Sequence, residues 1–438
     1  MSTIMKIKKA ILVVALLQVS AFAQEDLSSI FPIKWSCEIG ITTYRTNIIE
    51  EDGFIYVGSN GNDANSDIDD LDGVHKIDVT SGKIVQSYQG QFIGDNDATG
   101  IALKDGKLYF GTDNYYFFCF DVETGQELWK YRTPYDVESV PCVADLDNDG
   151  NDEVVFCVQR DGMFCLNTED GSEQWVLDSI SSHDGNVAPL IVDCNGDGIL
   201  DVIGGYRGSP ENSKFAGFKM DHYGDYILAL SGDTGLPIWS KSTGAGIHAS
   251  PFLYSENGEK RIVSMDAYGE MQFLNLKGEL VKDMGFGYGM FMSPVMHGTK
   301  VCVADFIGEL GDQVYEMNER GFNKYIGGDS LDISMKLEGT TSATTVIAGV
   351  RGNGQLQYIA VSEEGTLVMG NEDGSDIVQY KFAGGAEATP LIKDIDGDGK
   401  LEIMIAALDG KLYCYETNSS GEVYYGQFRW NNTNVPGE

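Results

Sequence analysis

Carboxylates two residues apart in a glycine-bearing loop carry the most legible chemistry of this chain. Asp394, Asp396, Asp398, Gly399 and Glu402 read D-x-D-x-D-G-x-x-E. In a tight loop such oxygens point inward at one hard cation. The glycine makes the sharp turn and the last carboxylate closes the shell, as in calcium loops. The same punctuation recurs at Asp145, Asp147, Asp149, Gly150 and Glu153, and at Asp193, Asn195, Asp197, Gly198 and Asp201. At the seventh position Asn151, Ile199 and Lys400 each offer a backbone carbonyl, whatever their side chains. A proline stands four residues before each first Asp: Pro141, Pro189 and Pro390. One such loop is an ordinary acidic turn. Three that share ligand positions, glycine and proline predict two or three structural calcium ions, with plain acidic turns as the alternative.

These loops need elements to hold them. Each is followed by an apolar run, VVFCV, VIGG or IMIAA, that reads as a buried strand. A second marker, a turn glycine with an aromatic four residues on, appears in DVETGQELW (121–129), NTEDGSEQW (167–175) and SGDTGLPIW (231–239). Weaker copies place Tyr325 after Gly321 and Tyr425 after Gly421. Aligned on both markers, the chain falls into eight units: about 41–90, 91–135, 136–180, 181–244, 245–286, 287–330, 331–383 and 384–438. Units of this length with four short strands each read as propeller blades. The expectation is an all-β, eight-bladed propeller, with seven blades as the alternative. Trp35 and Tyr425 both offer a fourth strand to the last blade. Trp35 is preferred because an N-terminal strand there ties both chain ends together, leaving the tail from Gln427 across a face.

Two units keep the turn without the carboxylates. Unit seven has Gly349, Arg351, Asn353 and Gln357 at the ligand positions and retains Gly354, while unit five offers Ser255 and Asn257. Neither is expected to hold a metal. The acids of the unit-one insert, Asp63, Asp67, Asp69, Asp70 and Asp72, either hold a further cation or are solvated.

The N-terminus reads as a secretory signal over residues 1–23. Lys6, Lys8 and Lys9 are basic, Ile11 to Leu17 is apolar, and Ala21-Phe22-Ala23 is a cleavage site before Gln24. No lipid-attachment cysteine follows it, since Cys37 lies too far on, and no later apolar run is long enough to span a bilayer. The reading is an exported, periplasmic or extracellular chain whose residues 24–438 form one propeller domain. A formal charge of −37 argues against nucleic acid and anionic membranes as partners. Of the eight cysteines, Cys119, Cys165 and Cys414 hold the same place in three repeats, where a small apolar residue packs. These positions argue against disulfides, with a Cys157–Cys165 bridge across a hairpin as the alternative.

The G-x-x-x-W turns after strands such as FFCFD resemble the quinoprotein-type (PQQ-like) β-propeller repeat. The D-x-D-x-D-G-x-x-[DE] loops resemble FG-GAP/VCBS repeats, as in integrin α-subunit propellers. The tail GQFRWNNTNVPG is similar to the ending of exported PQQ-like repeat proteins. These resemblances imply a ring of four-stranded blades with calcium between the first two strands of a blade. They do not imply one function. The preferred reading is a monomeric, non-catalytic binding or scaffold protein for a protein or carbohydrate partner. The alternatives are a propeller enzyme, either a polysaccharide lyase or hydrolase or a PQQ-dependent dehydrogenase, and a role like that of the outer-membrane-assembly propeller. Quinoprotein dehydrogenases carry adjacent cysteines that this shorter chain lacks.

Propeller geometry places the calcium loops on one face. The opposite face receives the residues just before each proline: Glu138, Asn186, His248, Met292 and Glu387, with Asp97 in unit two. They are expected to ring the channel mouth. The same face receives the unit-four insert with Tyr206, Arg207, Phe215, Phe218, His222 and Tyr223, an aromatic-rich loop that either packs on its blade or meets a partner.

Overall fold

A computed structural model describes residues 25–436 except 63–68, 91–95, 160–161, 178–187, 209–223, 286–292, 298–299, 303 and 308–334. The described elements are β-strands and one short 3-10 turn, Leu27–Ser29. Among the described residues seven sheets carry a complete four-stranded antiparallel ladder, which is the seven-blade alternative rather than the eight expected. They correspond to units one to five, seven and eight, and each blade keeps the number of its unit. Unit six contributes a hairpin of Val295–His297 with Lys300–Cys302. Its other sheet pairs Ala304–Ile307 in parallel with Met335–Glu338, a strand the repeat count assigned to unit seven.

Within a blade, order follows burial. Blade three runs Cys142–Ala144, Glu153–Val158, Gly162–Asn167 and Glu173–Leu177 from the channel outward. Its first two strands are buried throughout, while the outermost alternates. Inner strands are covered on both faces by neighbouring blades and so carry continuous apolar runs, whereas an edge strand must present polar side chains to water.

The first hairpin of each blade is where the units diverge. Blades one, two and five use two-residue turns, Asp52-Gly53, Asp105-Gly106 and Asn257-Gly258, with both residues at positive φ. Asn-Gly and Asp-Gly are the residues such tight turns prefer. Two residues are too few for a loop of the D-x-D-x-D-G type. Blades three, four, seven and eight instead have longer loops at this place.

Neighbouring blades are locked by the tryptophans. Trp129, Trp175 and Trp239 sit at one register opposite the third strand, and Trp35 takes the same place in blade eight. Each indole N–H donates to a carbonyl of the next blade: Trp35 to Val79 (2.7 Å), Trp129 to Thr168 (3.0 Å), Trp175 to Gly232 (2.5 Å) and Trp239 to Leu276 (2.9 Å). The rings lie against turn glycines Gly82, Gly171, Gly235 and Gly278, where any Cβ would come within 2.6 Å of indole carbon. Ile33–Glu38 is the outer strand of blade eight, with Trp35 opposite Cys414. The strand that carries Tyr425, Val423–Tyr425, is a fifth, innermost strand of blade seven.

Around the channel runs a belt of hydroxyls. Ala188 N donates to Ser250 Oγ, Ser250 N to Ser293 Oγ, Ser293 N to Thr344 Oγ1, and Thr344 N to Thr389 Oγ1, at 3.0–3.3 Å. This belt passes through unit six. The eight cysteines are free: Cys119, Cys165 and Cys414 each face the tryptophan of the outer strand, and Cys157 lies opposite Met163.

Candidate functional site: the carboxylate loops and the plugged channel

The three acidic loops fold alike because their side chains replace missing backbone partners. In each, the first Asp accepts from the glycine N–H: Gly150 to Asp145 (3.1 Å), Gly198 to Asp193 (3.1 Å), Gly399 to Asp394 (2.9 Å). The third and fifth positions accept from the residue two on, through Asp147 and Asp149, Asn195 and Asp197, and Asp396 and Asp398. The glycines lie at φ of 83° to 91°, a region that favours glycine. The last carboxylate accepts from the residue after the first Asp: Leu146 N to Glu153 (2.8 Å), Cys194 N to Asp201 (2.8 Å), Ile395 N to Glu402 (3.0 Å).

That uses one oxygen of each closing carboxylate. Among the described residues, the second oxygen of Glu153 and of Asp201 is buried without a hydrogen-bond partner, as is Asp145 Oδ1. An unpaired buried carboxylate oxygen is costly unless a proton, a water or a cation satisfies it. Asp145, Asp147 and Glu153 bring oxygens within 4.8 Å of one another, as do Asp394, Asp396 and Glu402. Burial pushes Glu153 up to about 7, helped by the charges of Asp147, Asp149 and Asp145, while the Leu146 N–H opposes. Burial likewise raises Asp201. These donor sets fit a hard, oxygen-seeking ion: loop one through Asp145, Asp147, Asp149, Glu153 and the Asn151 carbonyl, and loop two through Asp193, Asn195, Asp197, Asp201 and the Ile199 carbonyl.

Loop three differs. Lys34, from the closing strand, places its Nζ 2.6 Å from Asp396, 3.1 Å from Glu402 Oε1 and 3.1 Å from Glu416. Burial alone would lower this ammonium, but the three carboxylates outweigh it and hold it well above its usual value. The Lys34 bond holds Asp396 below the ordinary carboxylate range. Sequence spacing gave no sign of Lys34.

In the unit-seven loop, Gln357 stands where Glu153 stands in unit three, nine residues after the equivalent of Ala144. Its amide nitrogen donates to Asn353 (3.1 Å), to the Gln355 carbonyl (2.9 Å) and to Asn371 (3.0 Å). Asn353 and the Gln355 carbonyl occupy the fifth and seventh ligand positions. A hydrogen-bond donor therefore fills the centre of this loop.

At the opposite mouth, Arg45 pairs with Glu138 at 2.8 Å and stacks on Tyr44. Burial raises Glu138 and Glu387, and the Arg45 charge opposes the rise in both. Asp97 is buried and His248 half-buried nearby in the ring. Arg45 was not singled out in the sequence, because the strand of unit one carries no proline marker. Asn186, Met292, Phe215, Phe218, His222 and Tyr223 lie outside the described residues, as do Asp63 and Asp67. Tyr206 is buried and lies opposite Tyr226, with Arg207 next in the same extended hairpin. Asp69 and Asp72 accept backbone N–H groups within their own turn.

The tail does more than cross a face. On the loop side it threads the channel and bonds to strand after strand. Ile392 N donates to Gly426 O, Leu103 N to Asn432 O and Val143 N to Thr433 O. Asn434 donates to Ile101 and Pro141, and Asn432 to Glu50. Arg429, 2% exposed, donates to the Pro189 and Pro251 carbonyls. Arg429, Trp430 and Asn434 all hold positive φ, a strained arrangement for residues with side chains. Between the tail and blades one, two and eight opens a cavity of about 800 Å³, lined by Glu51, Lys393, Tyr424, Gln427, Trp430 and Asn432 among others. Gln427 is 8% exposed, and its amide nitrogen has no partner among the described residues.

Comparison with known proteins agrees with this architecture. Residues 357–436 match the model of the lambda-carrageenase beta-propeller domain, and residues 90–200 that of outer membrane protein assembly factor BamB. A search of curated proteins returns no match. Among solved structures, BamB from Moraxella catarrhalis is 13% identical, with a TM-score of 0.54 over 88% of this chain and 100% of that one. Quinohemoprotein alcohol dehydrogenase from Comamonas testosteroni is 14% identical, with a TM-score of 0.54 over 90% and 77%. A europium-containing methanol dehydrogenase is 13% identical, with a TM-score of 0.58 over 88% and 93%. At such identities the structural likeness is one of fold, and with the BamB match it supports a PQQ-like β-propeller.

Proposed function

We propose that this chain is an exported, calcium-stabilised β-propeller that binds a protein or carbohydrate partner without turning it over. Calcium is supported by the orphaned oxygens of Asp145, Glu153 and Asp201. In this reading the ions stiffen the first hairpins of blades three and four, and the chain's own oxygens orient them.

The observation that carries the binding reading is the cavity beneath the tail. Its size lies within the range of about 300–1,000 Å³ typical of ligand sites. Tyr424, 45% exposed, offers a ring face, and the Gln427 amide is a buried donor awaiting an acceptor. Rings and amides are what a sugar's apolar faces and hydroxyls require. This moves the favoured ligand site from the mouth opposite the loops to the loop face. No described helix is long and apolar enough to cross a membrane.

A glycan array and a pull-down with the purified protein test the reading. Binding that weakens in Tyr424→Ala and Gln427→Ala, and survives in Arg45→Ala, supports the cavity. The reverse pattern places the partner at the opposite mouth. Turnover of a polysaccharide panel, or of alcohols with added PQQ, overturns the non-catalytic reading. The BamB match over 90–200 favours one second reading, a scaffold for protein assembly, which the pull-down also reads.

A further inference from the structure

The three carboxylate loops are not electrostatically equivalent, although their sequences are nearly so. Loops one and two end on carboxylates with an orphaned oxygen, Glu153 Oε1 and Asp201 Oδ1. The corresponding atom of loop three, Glu402 Oε1, is bonded to Lys34 Nζ. The difference comes from the fourth strand of each blade. Trp35, Trp175 and Trp239 share one register, so the residues before them are equivalent: Lys34, Gln174 and Ile238. Gln174 reaches only the second ligand of its loop, Asp147, at 2.6 Å, and brings no charge. Ile238 has no polar group. Among the described residues, Lys34 alone brings a positive charge onto a ligand set.

Blade eight also carries an additional acid. Glu402 pairs across the ladder with Glu416, where blade three pairs Glu153 with Asn167. Lys34 therefore sits among Asp396, Glu402 and Glu416, with Asp398 also within reach of the last two. An ammonium so placed does electrostatically what a bound cation does: it neutralises crowded carboxylates and supplies donors to their lone pairs. A divalent ion entering the same cluster meets both this charge and the loss of three ion-pair contacts.

We infer that Lys34 is the resident cation of loop three, so that calcium enters loops one and two while the third is closed by an ion pair. The inference rests on the calcium reading of the first two loops. Its consequence is topological. Lys34 lies in the ring-closing strand and its partners in the last blade, more than 360 residues away in sequence. The seam of the ring is thus fastened by the chain's own charge, independently of calcium supply, whereas calcium tightens blades three and four.

Equilibrium dialysis of the intact protein against radioactive calcium counts the ions. The expected result is two ions for the unaltered chain and three for Lys34→Met. In the unaltered background, Asp145→Asn is expected to lower the count to one and Asp394→Asn to leave it at two. Three ions in the unaltered chain with no change in Lys34→Met overturn the inference and leave the calcium reading standing. Two ions in both chains also count against it. If Lys34→Met does not fold, loss of an ion in Asp394→Asn is the deciding contrary result. No bound calcium in any chain overturns both readings.

Discussion

The first hairpin loops of blades three and seven have the same length and turn, with opposite contents. Both close on a residue buried to 1% or less, Glu153 in one and Gln357 in the other. Both keep a positive-φ glycine at the sixth position, Gly150 and Gly354, and both keep the bond from the seventh N–H to the fifth side chain. In blade three the oxygens converge and one buried oxygen of Glu153 is unmatched. In blade seven the Gln357 amide nitrogen sits among the acceptors and bonds three of them. The turn therefore does not depend on a cation. The same turn forms around an amide in blade seven, an ammonium in blade eight, and converging carboxylate and amide oxygens in blades three and four.

The largest effect is expected from emptying the self-sufficient loop. Gln357→Ala leaves Asn353, the Gln355 carbonyl and Asn371 without their shared donor, at a cost of about 1–3 kcal/mol. Thermal unfolding should show this drop equally with calcium and with chelator. A drop seen only with calcium would mean that this loop too holds an ion.

Chelation comes next. Sites of extracellular strength give about 0.4 to 1.4 kcal/mol each in millimolar calcium. The unaltered protein should therefore melt lower in chelator while still folding, and Asp145→Ala and Asp193→Ala should each remove part of that difference. Identical melting with and without calcium would make all these loops ordinary acidic turns.

The comparison can also be sharpened by conversion. Arg351→Asp with Asn353→Asp and Gln357→Glu rebuilds in blade seven the equivalents of Asp147, Asp149 and Glu153, and Gly349→Asp supplies the equivalent of Asp145. Together these changes should add one calcium-dependent increment of about the same size as a natural site, read from the same melting curves, and lower stability in chelator. The smallest effect is expected from Asn353→Ala alone, which should leave the calcium-dependent shift of the protein unchanged.

Much of the fold was legible because the propeller is periodic. Trp129, Trp175 and Trp239 announce equivalent outer strands, Cys119, Cys165 and Cys414 mark equivalent third strands, and Pro141, Pro189 and Pro390 mark inner strands. Periodicity failed where a segment leaves its own unit. Tyr425 carries a passable outer-strand signature, yet its strand pairs inside blade seven. Met335–Glu338 pairs in parallel within unit six. Nothing in the tail's residues announced that Arg429 would be buried against two carbonyls of the channel wall.

The carboxylate spacing, the turn glycines and the substitution of Gln357 for an acid are local facts, settled within nine residues of chain, and the sequence alone determined them. What lies opposite each ligand set was decided only by the tertiary structure. Lys34 meets Asp396 across 362 positions, and the Gln427 amide faces a cavity shared with Glu51 and Lys393. Such neighbours are set by ring closure and by the path of the tail. Those contacts join distant segments once each, so they leave no repeated pattern in the residues themselves.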